Sequence, residues 1–169
     1  MSITGRRTIY CTAMRVALGA DHAGFEMKQD LRAALSARGH EVVDVGTHST
    51  DPVDYPDYAQ AVITAMQEGR SDRGVLVCGS GAGVSIAANK FPGVRASVCH
   101  DGYTAHQAVE HDDMNVLVLG ARIVGTALAG ELVETFLGAR FSQDERHRRR
   151  IDKVRRLEGR DWTGVVGSD

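Results

Sequence analysis

Cys78 stands immediately before a glycine-rich stretch, Gly79-Ser80-Gly81-Ala82-Gly83, where an apolar run gives way to a helical pattern. Glycines at alternate positions let backbone N–H groups turn toward an anion, and the N-terminus of the helix that follows adds partial positive charge. The stretch reads as an anion cradle with a thiol at its mouth. A free thiol titrates near about 8.5, and a helix N-terminus is expected to lower that pKa, raising the fraction of Cys78 able to act as base or nucleophile. The other reading, a small buried core residue, stays open on position alone. Asp21-His22 and His100-Asp101 follow two further apolar runs, and His111 opens the segment HDDMNV, as a catalyst or as an ordinary loop residue. The histidines and cysteines show no C-x-x-C or H-x-x-x-H spacing, so no metal site is expected.

Two phosphate-binding motifs come close and fail. A Walker loop needs a lysine directly after its last glycine, whereas Lys90 lies a full helix later. A dinucleotide fingerprint wants G-x-G-x-x-G, yet after Gly79 and Gly81 the third position is Val84, and the loop belongs to the third unit of the chain rather than the first. Asp101, about twenty residues on, is the one feature that favours it.

The elements that must position these groups alternate short apolar runs with amphipathic stretches, the pattern of βα units around a parallel sheet. Strands are predicted at 15–18, 41–45, 74–78, 94–98 and 116–119. The run GVLVC at 74–78 is the most apolar and is placed centrally. Helices are predicted from about residue 25 to a left-handed cap at Gly39, through Tyr58 to Met66, and at 84–90, 101–110 and 125–137. A last, basic helix should carry Ile151, Val154 and Leu157 as an apolar stripe. The Pro-containing stretch 46–57 is predicted as a long loop. In such sheets ligands bind beyond the carboxyl ends of the strands, so Asp21, His22, Cys78, His100 and Asp101 are candidates to converge.

Composition sets the outer limits. The 169 residues are 43% hydrophobic and 25% charged, ordinary globular usage that excludes disorder and low complexity. No apolar run approaches the roughly 20 residues a bilayer requires, so no membrane association and a cytoplasmic location are expected. Three cysteines, Cys11, Cys78 and Cys99, fit reduced thiols better than a disulfide framework. The net charge of −2 hides an asymmetry: RHRRRIDKVRR at 146–156 holds seven Lys/Arg and one acid, leaving 13 basic and 21 acidic residues elsewhere. Such a run meets phosphate or nucleic acid, or is a solvated helix face. Aromatic residues are not interleaved with the basic ones, which argues against nucleic acid.

The runs GADHAGFEMK, DYPDYA, CGSGAGVSIAANKFPGVRA, EHDDMNVLVLGARIVG and ERHRRRI, in that order, resemble the type B ribose-5-phosphate isomerases. Relatives of that family act on galactose 6-phosphate, allose 6-phosphate and tetrulose 4-phosphates, so another phosphorylated sugar is the alternative substrate. The likeness runs from about Met14 to Leu157. It implies a three-layer α/β/α Rossmann-like fold with a five-stranded parallel sheet and a C-terminal helix exchanged across a dimer. One isomerase domain is expected at 15–157, between an N-terminal extension, 1–14, and a tail, 158–169.

The resemblance also implies roles. Aldose and ketose interconvert through a cis-enediolate, which requires a base near C1 and C2 and donors for the developing oxyanion. By that likeness Cys78 is the base; the glutamate of other relatives has no counterpart among Ala82, Gly83 and Ser85. Backbone N–H groups of Gly79, Gly81, Ala82 and Gly83 hold the enediolate, and Ser80 relays protons. His111 assists ring opening and Asp21 holds the ring hydroxyls. His22, Arg146 and Arg150 bind phosphate, with Arg122 adding charge and Tyr55 lining the pocket. Asn89 either fixes the glycine loop or is simply a polar helix end. Asp112 replaces the family's usual asparagine, and a carboxylate accepts where an amide can donate. No cofactor is implied, and the partner is a second copy of the chain, in a homodimer or homotetramer with shared sites.

Overall fold

The structure is a computed structural model and describes residues 13–159. Cys11 and most of the expected extension and tail lie outside the described residues. Five parallel strands are ordered β2-β1-β3-β5-β4: β1 (Arg15–Ala20), β2 (Glu41–Gly46), β3 (Arg73–Cys78), β4 (Ala96–Val98) and β5 (Val116–Gly120). Six helices alternate with them and follow: α1 (Phe25–Ala37), α2 (Tyr55–Gln67), α3 (Ala82–Ala88), α4 (Gly102–Asp112), α5 (Thr126–Gly138) and α6 (Glu145–Glu158).

Side chains alternate across each strand, so each central strand feeds two cores. Leu18, Val75, Val77, Leu117 and Leu119 face Leu31 and Leu35 of α1, Val109 of α4 and Phe136 of α5. Ala17, Leu76, Cys78, Val116 and Val118 face Val62 and Ile63 of α2 and Val84 of α3. This is the expected three-layer sandwich, with the β3 run GVLVC central and buried on both faces.

Local departures from the expected boundaries have physical causes. The helix α2 starts at Tyr55, inside the stretch 46–57 expected to be loop, because Pro56 occupies its first turn, where the missing N–H costs nothing. The helix α3 starts at Ala82 rather than 84, because Gly81 takes a left-handed conformation (φ 83°) and reverses the chain at once. The ladder of β4 begins at Ala96 rather than 94, since the Arg95 N–H is spent on Asn115 Oδ1. Gly39 is left-handed as expected, with φ 87°. In α6 the expected stripe is only half used: Ile151 is buried together with His147, while Val154 and Leu157 are exposed.

Candidate active site

The chain winds outward from β1 to β2 on one side and from β3 to β5 and β4 on the other, so the direction reverses between β1 and β3. A crevice opens beyond their carboxyl ends at such a switch point. Cys78 ends β3, and Asp21 directly follows β1, where Ala20 is paired with Val77. The Cys78 thiol donates to Asp21 Oδ2 at 2.9 Å. The other carboxylate oxygen, Oδ1, accepts the N–H groups of Ala23 at 3.0 Å and Gly24 at 3.1 Å. Both side chains are nearly out of solvent, Asp21 at 5% exposure and Cys78 at 9%.

This corrects one expectation. The thiol is pushed above its ordinary value, first by burial, then by its hydrogen bond to Asp21 and that group's negative charge. The Gly79 and Gly81 N–H groups pull the other way, as the glycine loop was expected to do, and do not prevail. Cys78 in the free protein is a thiol hydrogen-bonded to a carboxylate rather than a thiolate.

Around this pair the loop is tightly packed. A Cβ on Gly83 would come within 2.8 Å of the Tyr55 ring, so the ring lies directly against the glycine backbone. Ser80 is exposed, and its Oγ accepts the Ala82 N–H at 3.3 Å. Arg122 follows β5; its N–H donates to the Gly79 carbonyl at 3.0 Å, and its side chain runs alongside Gly79. His22 Nδ1 accepts the Val53 N–H at 3.2 Å, which leaves Nε2 to carry the proton of a neutral ring. Asp21, His22, Tyr55, Cys78, the glycine loop and Arg122 thus gather at one edge of the sheet.

Of the remaining candidates, His100 and Asp101 follow β4 at its carboxyl end, and the others gather at the amino ends of the strands. The helix α4 runs back against the strands, and the segment after it joins the amino ends: Asn115 bonds Arg95 and Gly74. The length of β3, about 15 Å at roughly 3.3 Å per residue, separates that end from Cys78. There His111 lies against His147, flanked in sequence by Arg146 and followed one turn later by Arg150, both exposed. Asp112 is exposed and, with Asn89, Ser97, Val154 and Leu157, lines a groove of about 500 Å³ along β4, away from the sulfur. The Asn89 side chain makes no hydrogen bond to the glycine loop. Its amide donates to the carbonyls of Ser85 and Ala96 and its Oδ1 accepts the Ala96 N–H, which ties the end of α3 to the start of β4. Asp101 does not converge on the sulfur either: it caps α4, accepting from Thr104 N at 2.7 Å and Thr104 Oγ1 at 2.8 Å, bonds that hold its carboxyl below the usual range.

Sequence reasoning missed three polar residues. Lys28, fully buried, donates to Asp44 Oδ1 at 2.5 Å, and the same oxygen accepts the Gly46 N–H at 3.1 Å. The pair anchors the end of β2, from which Thr47 donates its N–H to Ala20, the residue before Asp21. A lysine within the apolar spacing of α1 and an aspartate inside EVVDV were the available signals. His147, 1% exposed, was visible as the residue one turn before Ile151. Among the described residues no cluster of His, Cys, Asp and Glu could hold a metal ion, and no helix is long and apolar enough to cross a membrane.

Comparison with known proteins bears on what this arrangement does. The family described as Ribose/Galactose Isomerase matches residues 16–154. The chain is 45% identical over 146 residues to ribose-5-phosphate isomerase B of Escherichia coli, covering 86% of this chain and 97% of the relative. It is 38% identical over 150 residues to D-erythrulose-4-phosphate isomerase 2 of Mycolicibacterium smegmatis, covering 87% and 99%. Its fold matches that of ribose-5-phosphate isomerase B from Clostridium thermocellum with a TM-score of 0.83 at 46% identity, covering 86% and 97%.

Proposed function

The chain belongs to the Ribose/Galactose Isomerase family and is a sugar-phosphate isomerase, and on that premise we propose that it interconverts ribose 5-phosphate and ribulose 5-phosphate through a cis-enediolate with Cys78 as the base. The observation that carries this reading is the sulfur's place, at the mouth of a loop of backbone N–H groups and against a carboxylate. Cys78 removes the proton from C2 of the open aldose. The C–H electrons form the C1–C2 double bond, and the carbonyl electrons move to O1. The N–H groups of Gly79, Gly81, Ala82 and Gly83 meet that oxyanion, a contribution realised only as charge develops. Ser80 passes a proton between the two oxygens, and return of the abstracted proton to C1 gives the ketose. One carbon is oxidised and its neighbour reduced, so no external redox partner or cofactor takes part.

Asp21 meets the sugar hydroxyls, Tyr55 walls the pocket, and His22 and Arg122 hold the phosphate end. His111, Asp112, Arg146 and Arg150 come from a second copy of the chain: within one copy they occupy the opposite edge of the sheet from Cys78, and an isologous pair brings each edge to the other's. His111 then assists ring opening and the two arginines clamp phosphate. Asn89 lines the groove along β4.

The test pairs a variant with a substrate panel. Cys78→Ala is expected to abolish isomerisation while keeping the circular dichroism spectrum and phosphate binding. Turnover at the wild-type rate in that variant would remove sulfur as the base. Four-, five- and six-carbon aldose phosphates assayed together read the substrate, with kcat/KM highest for the five-carbon pair. A four-carbon optimum would move the assignment to a tetrulose 4-phosphate.

A further inference from the structure

We infer that Asp21 is the proton acceptor that converts Cys78 into the working base, so that sulfur and carboxylate act as one proton-sharing pair. The inference rests on the isomerase reading above and gives Asp21 a role beyond holding sugar hydroxyls.

A neutral thiol cannot take a proton from carbon, because the thiolate is the basic form. The Cys78 thiol is buried, and its hydrogen is committed to Asp21 Oδ2 at 2.9 Å. No other side-chain acceptor bonds that sulfur among the described residues. Proton loss from sulfur along this bond is therefore transfer to Asp21. The carboxylate is held for the purpose: its far oxygen is fixed by the N–H groups of Ala23 and Gly24, which aims Oδ2 at the sulfur.

Electrostatics favours sharing over separate ionisation. A thiolate and a carboxylate 2.9 Å apart are two like charges in a low-dielectric crevice that must also receive an anionic sugar phosphate. Keeping one proton on the pair holds it at a single negative charge, as in other coupled acid pairs. The balance is complete. The S–H bond breaks and an O–H bond forms on Asp21 Oδ2; the thiolate then takes the substrate proton, so that S–H re-forms as the enediolate appears. The sulfur returns that proton to the neighbouring carbon, and after product leaves Asp21 gives its proton back to sulfur.

The ketose separates this role from any part in ring opening. Ribulose 5-phosphate cannot close a five-membered ring, because the oxygen on C5 carries the phosphate, so exchange of its C1 hydrogen with solvent needs enolisation alone. With the purified enzyme in D2O, loss of the C1 proton signal is followed by NMR for wild type, Cys78→Ala and Asp21→Asn. The asparagine oxygen can still accept the Ala23 and Gly24 N–H groups and preserve the turn. Exchange is expected to fall by about 10²-fold or more in Asp21→Asn, the scale of a lost general base, with KM for the ketose near wild type. Wild-type exchange in Asp21→Asn alongside none in Cys78→Ala overturns the inference and leaves sulfur as the base. Exchange surviving in Cys78→Ala sinks the isomerase base itself.

A second measurement has a wild-type arm that needs no variant. Alkylation by iodoacetamide, resolved at Cys78 by peptide mass spectrometry, should reach half its maximal rate above the ordinary thiol value of about 8.5 in the wild-type protein. In Asp21→Asn, without the carboxylate charge, the midpoint should fall. A wild-type Cys78 that is already ionised well below that value needs no acceptor, and the inference fails.

Discussion

His147 lies against His111 with ring centroids 4.2 Å apart and planes tilted by 31°. The contact joins α6 to the end of α4. His147 Nδ1 is 2.7 Å from Ser142 Oγ, and the Ser142 N–H donates to Glu110, so the buried ring is braced by the helix it supports. Burial holds His147 below its ordinary value of 6.5, with the charges of His111 and Arg146 acting in the same direction. Gln107 and Glu110 face His111 from its own helix.

A pH dependence of stability follows. The folded state disfavours protonated His147, so below about 6.5 the unfolded chain binds a proton that the folded chain does not, and stability falls as pH falls. The urea midpoint of the wild-type protein should decrease between pH 7 and 5, and that decrease should be smaller in His147→Gln. Equal slopes for the two proteins would show that His147 titrates freely.

The buried Lys28–Asp44 pair should be intolerant of losing one member. Burial works to raise the Asp44 carboxyl, yet the bonds from Lys28, the Gly46 N–H and Arg32 hold it below its usual value. Lys28→Met keeps the length of the side chain but removes the principal partner of Asp44, which is 14% exposed and keeps Arg32 and the Gly46 N–H, so the cost should lie below the roughly 3–5 kcal/mol of a fully buried stranded charge. Lys28→Met combined with Asp44→Asn should cost less than the sum of the two single changes, measured by urea unfolding. Additive costs would mean that the ion pair contributes nothing as a pair.

Gly81 is fixed by geometry. Its φ of 83° lies in the left-handed region, and an added Cβ would meet Val118 Cγ1 at 3.1 Å and the Leu119 carbonyl at 3.3 Å. Gly81→Ala should lower stability by about 1–3 kcal/mol. It should also depress kcat, because the Gly81 N–H that points at the sulfur would move with the strained turn. Unchanged kcat in a folded variant would separate the loop from the chemistry.

Much of this architecture was legible in the residues. The alternation of apolar runs with amphipathic stretches marked all five strands and the order of helices, because each central strand is buried on both faces and each helix on one. What stayed hidden depends on pairing across the sheet. The sequence places Cys78 before a helix N-terminus, which argues for a lowered thiol pKa. Only the β1–β3 register brings Asp21, 57 residues away, against the sulfur and reverses the sign. The return of α4 against the strands, and the contact of His147 with His111, put His111 and the basic helix at the opposite end of the sheet from Cys78.

That separation gives the sharpest prediction for the two-copy site. Arg146→Ala and Arg150→Ala should each raise KM with little effect on kcat, since each removes a charge-assisted contact worth about 1.5–3 kcal/mol, or roughly 10- to 150-fold. Cys78→Ala should be inactive for lack of a base. If each site takes its sulfur from one copy and its arginines from the other, refolding Cys78→Ala together with an Arg146→Ala/Arg150→Ala double variant restores, at substrate well below the double variant's raised KM, a turnover that neither has alone. In an isologous dimer half the pairs are mixed, and each mixed pair holds one whole site of two, so the recovered activity should approach about a quarter of wild type. A mixture no more active than its components would place both halves of the site within one chain, which the length of β3 opposes.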